Sequence, residues 1–396
     1  MTKLFGILFA TLLCLFTKGQ SRLNQNAVIS YKYNNKQLQF NIYAPLAKDV
    51  KLAGWDIMSY TGNTRSGDKP FPGIPLQKDS SGIWSLTLPN MEAQPYQYFF
   101  WVDGVRTLDP SNKEVLETYQ QPFSIAEVKQ KTEQAFWQMG NVPHGTVHYL
   151  TYYSPVLKMD RPLVVYTPPG YENSNQQFPV LYLLHGAGEI SSSWVKAGKA
   201  NNIADNLFAT GKAKPCIIVM PFGHPDGYSG RADSSLLGGT NRFSWMEKEL
   251  LDVIIPYTEK AFRAKSDKWN RAIAGLSMGG AQTTYIGLRH LETFSYVGVF
   301  SAGDKDIATS QAGFFSNSAE ANKQLKLLFV GVGEWDRVGN NPAQKESGII
   351  YNAQAMIKAF ETAGIKHRFR LLPKTDHTWY AWRTFLNDDF LPALWK

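Results

Sequence analysis

Two textures of apolar and polar residues divide the chain. From about Val28 to Ile125 short runs alternate at a period of two, as in Leu38-Gln39-Phe40-Asn41-Ile42-Tyr43 and Trp84-Ser85-Leu86-Thr87-Leu88, and Tyr96 to Val102 leads into Asp103-Gly104. Period-two alternation predicts half-buried strands, and Asp-Gly between them predicts a hairpin turn. Nothing here has helical spacing, so residues 24–126 are expected to form an all-β sandwich, of the roughly 100-residue size usual for that architecture. Residues 127–141, of mixed polarity with few turn signals, predict a short helical or irregular connector.

After Pro143 the pattern changes. Continuous apolar runs (Leu163 to Tyr166, Val180 to Leu184, Cys216 to Met220, Arg271 to Ala274, Tyr296 to Phe300, Leu325 to Val332, Phe369 to Leu372) alternate with helical stretches such as Met246 to Phe262. Runs apolar on both faces and separated by helices predict a mainly parallel sheet covered by helices on both sides, here over residues 142–396.

Length and composition fit this division. The 396 residues are 43% hydrophobic and 19% charged, enough apolar material for two or three domains and too much for a disordered chain. The formal charge is +8, but the basic residues are scattered, which argues against a nucleic-acid partner. Residues 1–20 carry Lys3, the apolar run Leu4 to Phe16 and the exit Thr17-Lys18-Gly19, the layout of a cleavable secretory signal peptide. A secreted or periplasmic protein without a membrane span is expected. Cys14 would leave with the signal and Cys216 lies in an apolar run, which leaves no internal disulfide.

The sharpest chemical signal is Gly275-Leu276-Ser277-Met278-Gly279, between strand-like and helix-like segments. A serine on such a turn needs small neighbours because the backbone is strained, and it then stands exposed as a nucleophile. It requires a base, and a carboxylate to orient that base. Beyond Ser277 the chain has three histidines, His290, His367 and His377. His290 lies on the helix leaving the turn and His367 at the entry of a strand, whereas His377 follows that strand, at the edge where Ser277 is expected. Of the acids between Ser277 and His377, Asp336 follows the run Leu327 to Val332 and reaches the same edge. Asp376 is next to the histidine in sequence, poorly placed to bond its ring, and Asp304 is the fallback.

Acyl transfer also needs donors where negative charge develops. His185-Gly186-Ala187-Gly188 follows the run Val180 to Leu184, and the backbone amides of Ala187 and Met278 are the candidates for an oxyanion hole, with His185 bracing the loop. Trp194 and Phe222, in loops after strands, and Trp379, just past His377, are candidates to flank the substrate; the alternative is that they pack helices against the sheet. There is no zinc signature, Gly331-Val332-Gly333 lacks the third glycine of a dinucleotide fingerprint, and no cofactor or metal is implied.

With these residues in hand, the second half resembles the esterase D-like branch of the α/β-hydrolases, which includes the feruloyl and acetyl-xylan esterases of carbohydrate esterase family 1. The matching stretches are Arg161 to Tyr171, Phe178 to Gly188, Gly275 to Gly280 and His377 to Arg383. The resemblance implies a triad at Ser277, Asp336 and His377, and a polysaccharide or oligosaccharide acyl ester as substrate. This chain departs in having Thr375-Asp376 where the family usually has glycines. The first half resembles the immunoglobulin-like early-set module related to carbohydrate-binding family 48, through Phe40 to Pro45 and Val102 to Pro110. Enterochelin esterases share this layout and are the rival reading; a non-catalytic carbohydrate-binding protein on a hydrolase scaffold is the alternative of another class. Having no nucleophile turn and none of the seven histidines, the first module is expected to be dispensable for small aryl esters.

Overall fold

The computed structural model describes residues 28–58, 73–129, 135–226, 243–337 and 347–396. The expected signal segment 1–20 lies outside these residues.

The first half forms two antiparallel sheets around one core. In one, Tyr31–Asn34, Gln37–Tyr43, Ile83–Leu88 and Gln77–Lys78 lie side by side; in the other the order is Ile74–Pro75, Val50–Ala53, Pro95–Val102, Phe123–Glu127 and Val115–Leu116. Val105–Thr107 folds back on Pro95–Val102 through Asp103 and Gly104, both at positive φ (48° and 82°), as a tight right-twisted hairpin requires. The alternation seen in the sequence has its cause here. Leu38, Phe40 and Ile42 from one sheet meet Leu52, Tyr98 and Phe100 from the other.

The second half holds an eight-stranded sheet in the order Thr146–Ser154, Met159–Thr167, Ile217–Pro221, Val180–Leu184, Arg271–Leu276, Tyr296–Phe300, Leu327–Gly333, Arg368–Leu372. The first two strands pair antiparallel and the strands from Ile217–Pro221 onward pair parallel. Helices pack on both faces, with Met246, Ile286 and Phe360 in one core and Trp194, Ile203 and Phe385 in the other. The central strands are therefore buried on both sides, which is why their sequences do not alternate. Ligands of open parallel sheets bind beyond the carboxyl ends of the strands, and Ser277, Asp336 and His377 all follow such ends. Among the described residues no helix is long and apolar enough to cross a membrane.

The two halves are locked together by Arg383, fully buried on the helix Trp379–Thr384. Its guanidinium reaches both carboxylate oxygens of Glu127 at 2.7 and 3.1 Å, and its Nε donates to Ala197 O at 2.7 Å. Burial works against the Glu127 charge, but Arg383, by charge and hydrogen bond, holds that carboxyl below its ordinary range. Removing one partner of such a buried pair typically costs about 3–5 kcal/mol.

Candidate active site

Ser277 sits at φ 52° and ψ −116°, between the strand Arg271–Leu276 and the helix Met278–Gly287. A side chain on Gly279 would meet His185 O at 2.5 Å, and one on Gly275 would strike the Gly279 carbonyl. The two glycines are thus imposed by the closeness of the turn to the neighbouring strand, and the strain is offset by rigid surroundings, including the Ser277 N–H donated to Phe300 O at 2.9 Å.

Asp336 is fully buried after the strand Leu327–Gly333, and its Oδ2 lies 2.9 Å from Nδ1 of His377. That bond leaves Nε2 as the ring atom available to the serine. The loops carrying the two residues are tied by the Trp335 N–H donated to Thr375 O at 2.9 Å. Asp376 accepts the main-chain N–H of His377 at 2.7 Å, so it caps the loop and does not hold the ring. Asp304 engages Ser310 and the Asp306 amide instead, His290 lies between Glu247 and Glu292, and His367 Nδ1 is 2.9 Å from Ile365 O.

Burial opposes a charge on the His377 ring, but Asp336, by charge and hydrogen bond, with Glu189 and Asp376 adding, raises its pKa above the ordinary 6.5. A general base must be neutral to act, so the sign is fixed. kcat/KM is expected to fall as pH drops through an inflection above 6.5. A pH–rate profile flat down to pH 5.5, about one unit below the ordinary histidine range, contradicts His377 as base.

His185 braces the next loop. Its Nε2 accepts the Gly223 N–H at 2.9 Å and its Nδ1 lies 2.8 Å from Gly186 O; burial pushes its pKa down to about 3, so the ring is neutral. Gly186 donates its N–H to Glu189 at 2.6 Å, and burial raises the Glu189 carboxyl to about 7. This leaves Ala187 and Gly188 facing the cavity that holds Ser277. Met278 opens its helix, where backbone N–H groups have no acceptor within the helix.

The other side of the site comes from the first module. A cavity of about 310 Å³ is lined by Ser277, His377 and Gly186 to Glu189 on one side and by Trp55, Gln97, Arg106, Gln121 and Phe123 on the other. Trp55 donates its indole N–H to the main-chain carbonyl of His377 at 3.1 Å, and Tyr119 donates its N–H to Gly188 O at 3.0 Å. The Tyr119 ring stacks on His224 with centroids 3.8 Å apart, and its hydroxyl donates to Asp226 at 2.7 Å. Asp56, buried beside this wall, accepts the Gln97 N–H at 2.7 Å, and burial raises its carboxyl to about 7. Both the His377 loop and the Gly186–Glu189 loop are thus held from the module, contacts that a chain without it would lack. Of the module aromatics, Trp84 and Tyr98 are core, whereas Trp55 lines the cavity.

The three expected rim aromatics are corrected by the structure. Trp194, Trp379 and Phe222 are each at most 1% exposed, and none lines the cavity. Trp194 donates to Leu184 O at 3.0 Å and packs edge-on against Trp379 at 5.4 Å, while Phe222 lies beneath the Arg161 guanidinium at 5.2 Å. The packing alternative accounts for all three. Trp382, edge-on to His377 at 5.0 Å, is the aromatic of that helix which reaches the cavity. Trp379→Ala is expected to cost about 3–5 kcal/mol of stability. In thermal melts and kinetics its KM stays unchanged; a raised KM with normal stability restores the substrate role.

Comparison with known proteins agrees with this geometry. Residues 154–392 match the family model described as "Putative esterase", a range that includes Ser277, Asp336 and His377. The chain belongs to this esterase family. An endo-1,4-beta-xylanase/feruloyl esterase of Xylanibacter ruminicola is 33% identical over 355 residues, covering 88% of the chain. The chain spans 43% of that relative's length. Among solved structures, a ferulic acid esterase superposes with a TM-score of 0.53 at 27% identity, over 63% of this chain and 98% of its own. The enterobactin esterase of Shigella flexneri superposes with a TM-score of 0.63 over 92% of this chain and 95% of its own, at 15% identity, which is a likeness of fold.

Proposed function

We propose that this esterase is a secreted serine hydrolase that removes feruloyl or acetyl groups from a plant cell-wall polysaccharide such as xylan. The observation that carries the chemistry is the buried Asp336–His377 pair at 2.9 Å, sharing one cavity with Ser277 on its strained turn. Ser277 Oγ attacks the ester carbonyl while Nε2 of His377 takes its proton, and the amides of Ala187 and Met278 receive the developing oxyanion. The acyl–alkoxy bond then breaks, the alcohol leaves with the proton from Nε2, and water repeats the sequence to free the acid and Ser277. The xylanase/feruloyl esterase relative supports the substrate class, and the layout of residues 1–20 supports secretion. The first module serves as an early-set, carbohydrate-binding-type domain that completes the cleft.

A second reading, hydrolysis of a trilactone siderophore, is favoured by the fold likeness to the enterobactin esterase across both halves. Turnover of methyl ferulate, 4-nitrophenyl acetate and a trilactone siderophore, measured side by side, separates the two. The first reading requires kcat/KM on methyl ferulate well above that on the siderophore; the reverse order overturns it.

A further inference from the structure

We propose that Arg106 is an anion subsite in the wall of the active-site cavity, where it binds a carboxylate carried by the ester substrate, of the kind a uronic acid unit supplies in an oligosaccharide; this rests on the glycan-ester reading above. Arg106 lies on the short strand Val105–Thr107 of the first module and lines the same cavity as Ser277 and His377. Its guanidinium carbon stands 4.0 Å from the ring centre of Phe99 and 4.8 Å from that of Phe123, and Nη2 donates to Pro122 O. Two ring faces and one carbonyl fix its orientation. They also remove part of its hydration, which strengthens what it offers to an anion.

Arg106 is half-buried, and the buried arginines of the fold are matched by carboxylates: Arg383 by Glu127, Arg271 by Glu259, and Arg161 by Glu249 at 4.0 Å. Among the described residues, no carboxylate stands within ion-pair distance of Arg106. The side chains beside it on the module's wall are Gln97, Thr118, Gln120 and Gln121, neutral groups suited to hydroxyls, and Glu189 across the cavity has its carboxyl raised to about 7 by burial, which weakens it as a counter-charge at neutral pH. A planar guanidinium so held matches a carboxylate in charge and shape. Gln97, Thr118, Gln120 and Gln121 then face the neutral part of the same ligand.

The test is competition against 4-nitrophenyl acetate turnover by two probes, xylotriose and a xylobiose bearing one glucuronic acid. The acidic probe is expected to bind about tenfold more tightly, with the advantage shrinking as salt is raised. In Arg106→Gln the two inhibition constants converge, and in Arg106→Lys, which keeps the charge without the fork, part of the difference survives. Equal inhibition by both probes in the unsubstituted protein, or a preference that persists in Arg106→Gln, overturns the subsite and leaves the glycan-ester reading standing. Inhibition by neither overturns both.

Discussion

Ser277→Ala and His377→Ala are each expected to lower kcat on 4-nitrophenyl acetate by about 10⁴- to 10⁶-fold, with the double variant no worse than either alone, because nucleophile and base act as one unit. Asp336→Asn should cost about 10⁴-fold, since an amide favours the wrong ring tautomer at His377. The 2.9 Å bond to Nδ1 is the contact at stake. Circular dichroism of each variant separates lost chemistry from lost fold. Near-normal turnover by Asp336→Asn, together with an inactive Asp304→Asn, would transfer the acid's role to Asp304.

The second large effect concerns the first module. A chain beginning near Gly140 keeps Ser277, Asp336 and His377 but loses the Trp55 bond to the His377 carbonyl, the Tyr119 bond to Gly188 and the Glu127 partner of buried Arg383. Misplacing a catalytic group by about 1 Å can cost 10²-fold, so loss of at least that order is expected on a small aryl acetate as well as on a glycan ester. The same claim is testable in the full chain. Trp55→Phe removes one hydrogen bond and keeps an aromatic wall, so kcat should drop by up to about tenfold with KM little changed. Full activity on aryl acetate in a folded chain from Gly140, or in Trp55→Phe, would return the module to a purely accessory position.

What the sequence made legible follows from the range of the interactions. Ser277, Asp336 and His377 each follow a strand whose apolar run is visible locally, and strand ends in a parallel sheet converge on one edge. Period-two alternation marked the strands of the first module because both of its sheets face one core. The cavity's far wall was not legible, since Trp55 meets His377 across 322 positions of sequence and only tertiary packing brings them together. The rim aromatics failed for a related reason. A tryptophan two residues beyond a candidate histidine reads the same whether its ring turns outward or inward, and here the N-cap at Thr378 and the helix Trp379–Thr384 turn Trp379 toward Trp194 and present Trp382 to the His377 ring. Buried Glu189 gave only a weak sign, a carboxylate close behind His185-Gly186 with no basic residue before Lys196.

The proposed chemistry stands on Ser277 as a nucleophile activated by His377 and Asp336. Its most direct test is mass spectrometry of the intact and digested protein after treatment with a fluorophosphonate. One adduct is expected, on the peptide containing Ser277, formed in step with loss of esterase turnover and absent from His377→Ala over the same time. Turnover that survives complete modification of Ser277, or inactivation with the adduct on another residue, would contradict it.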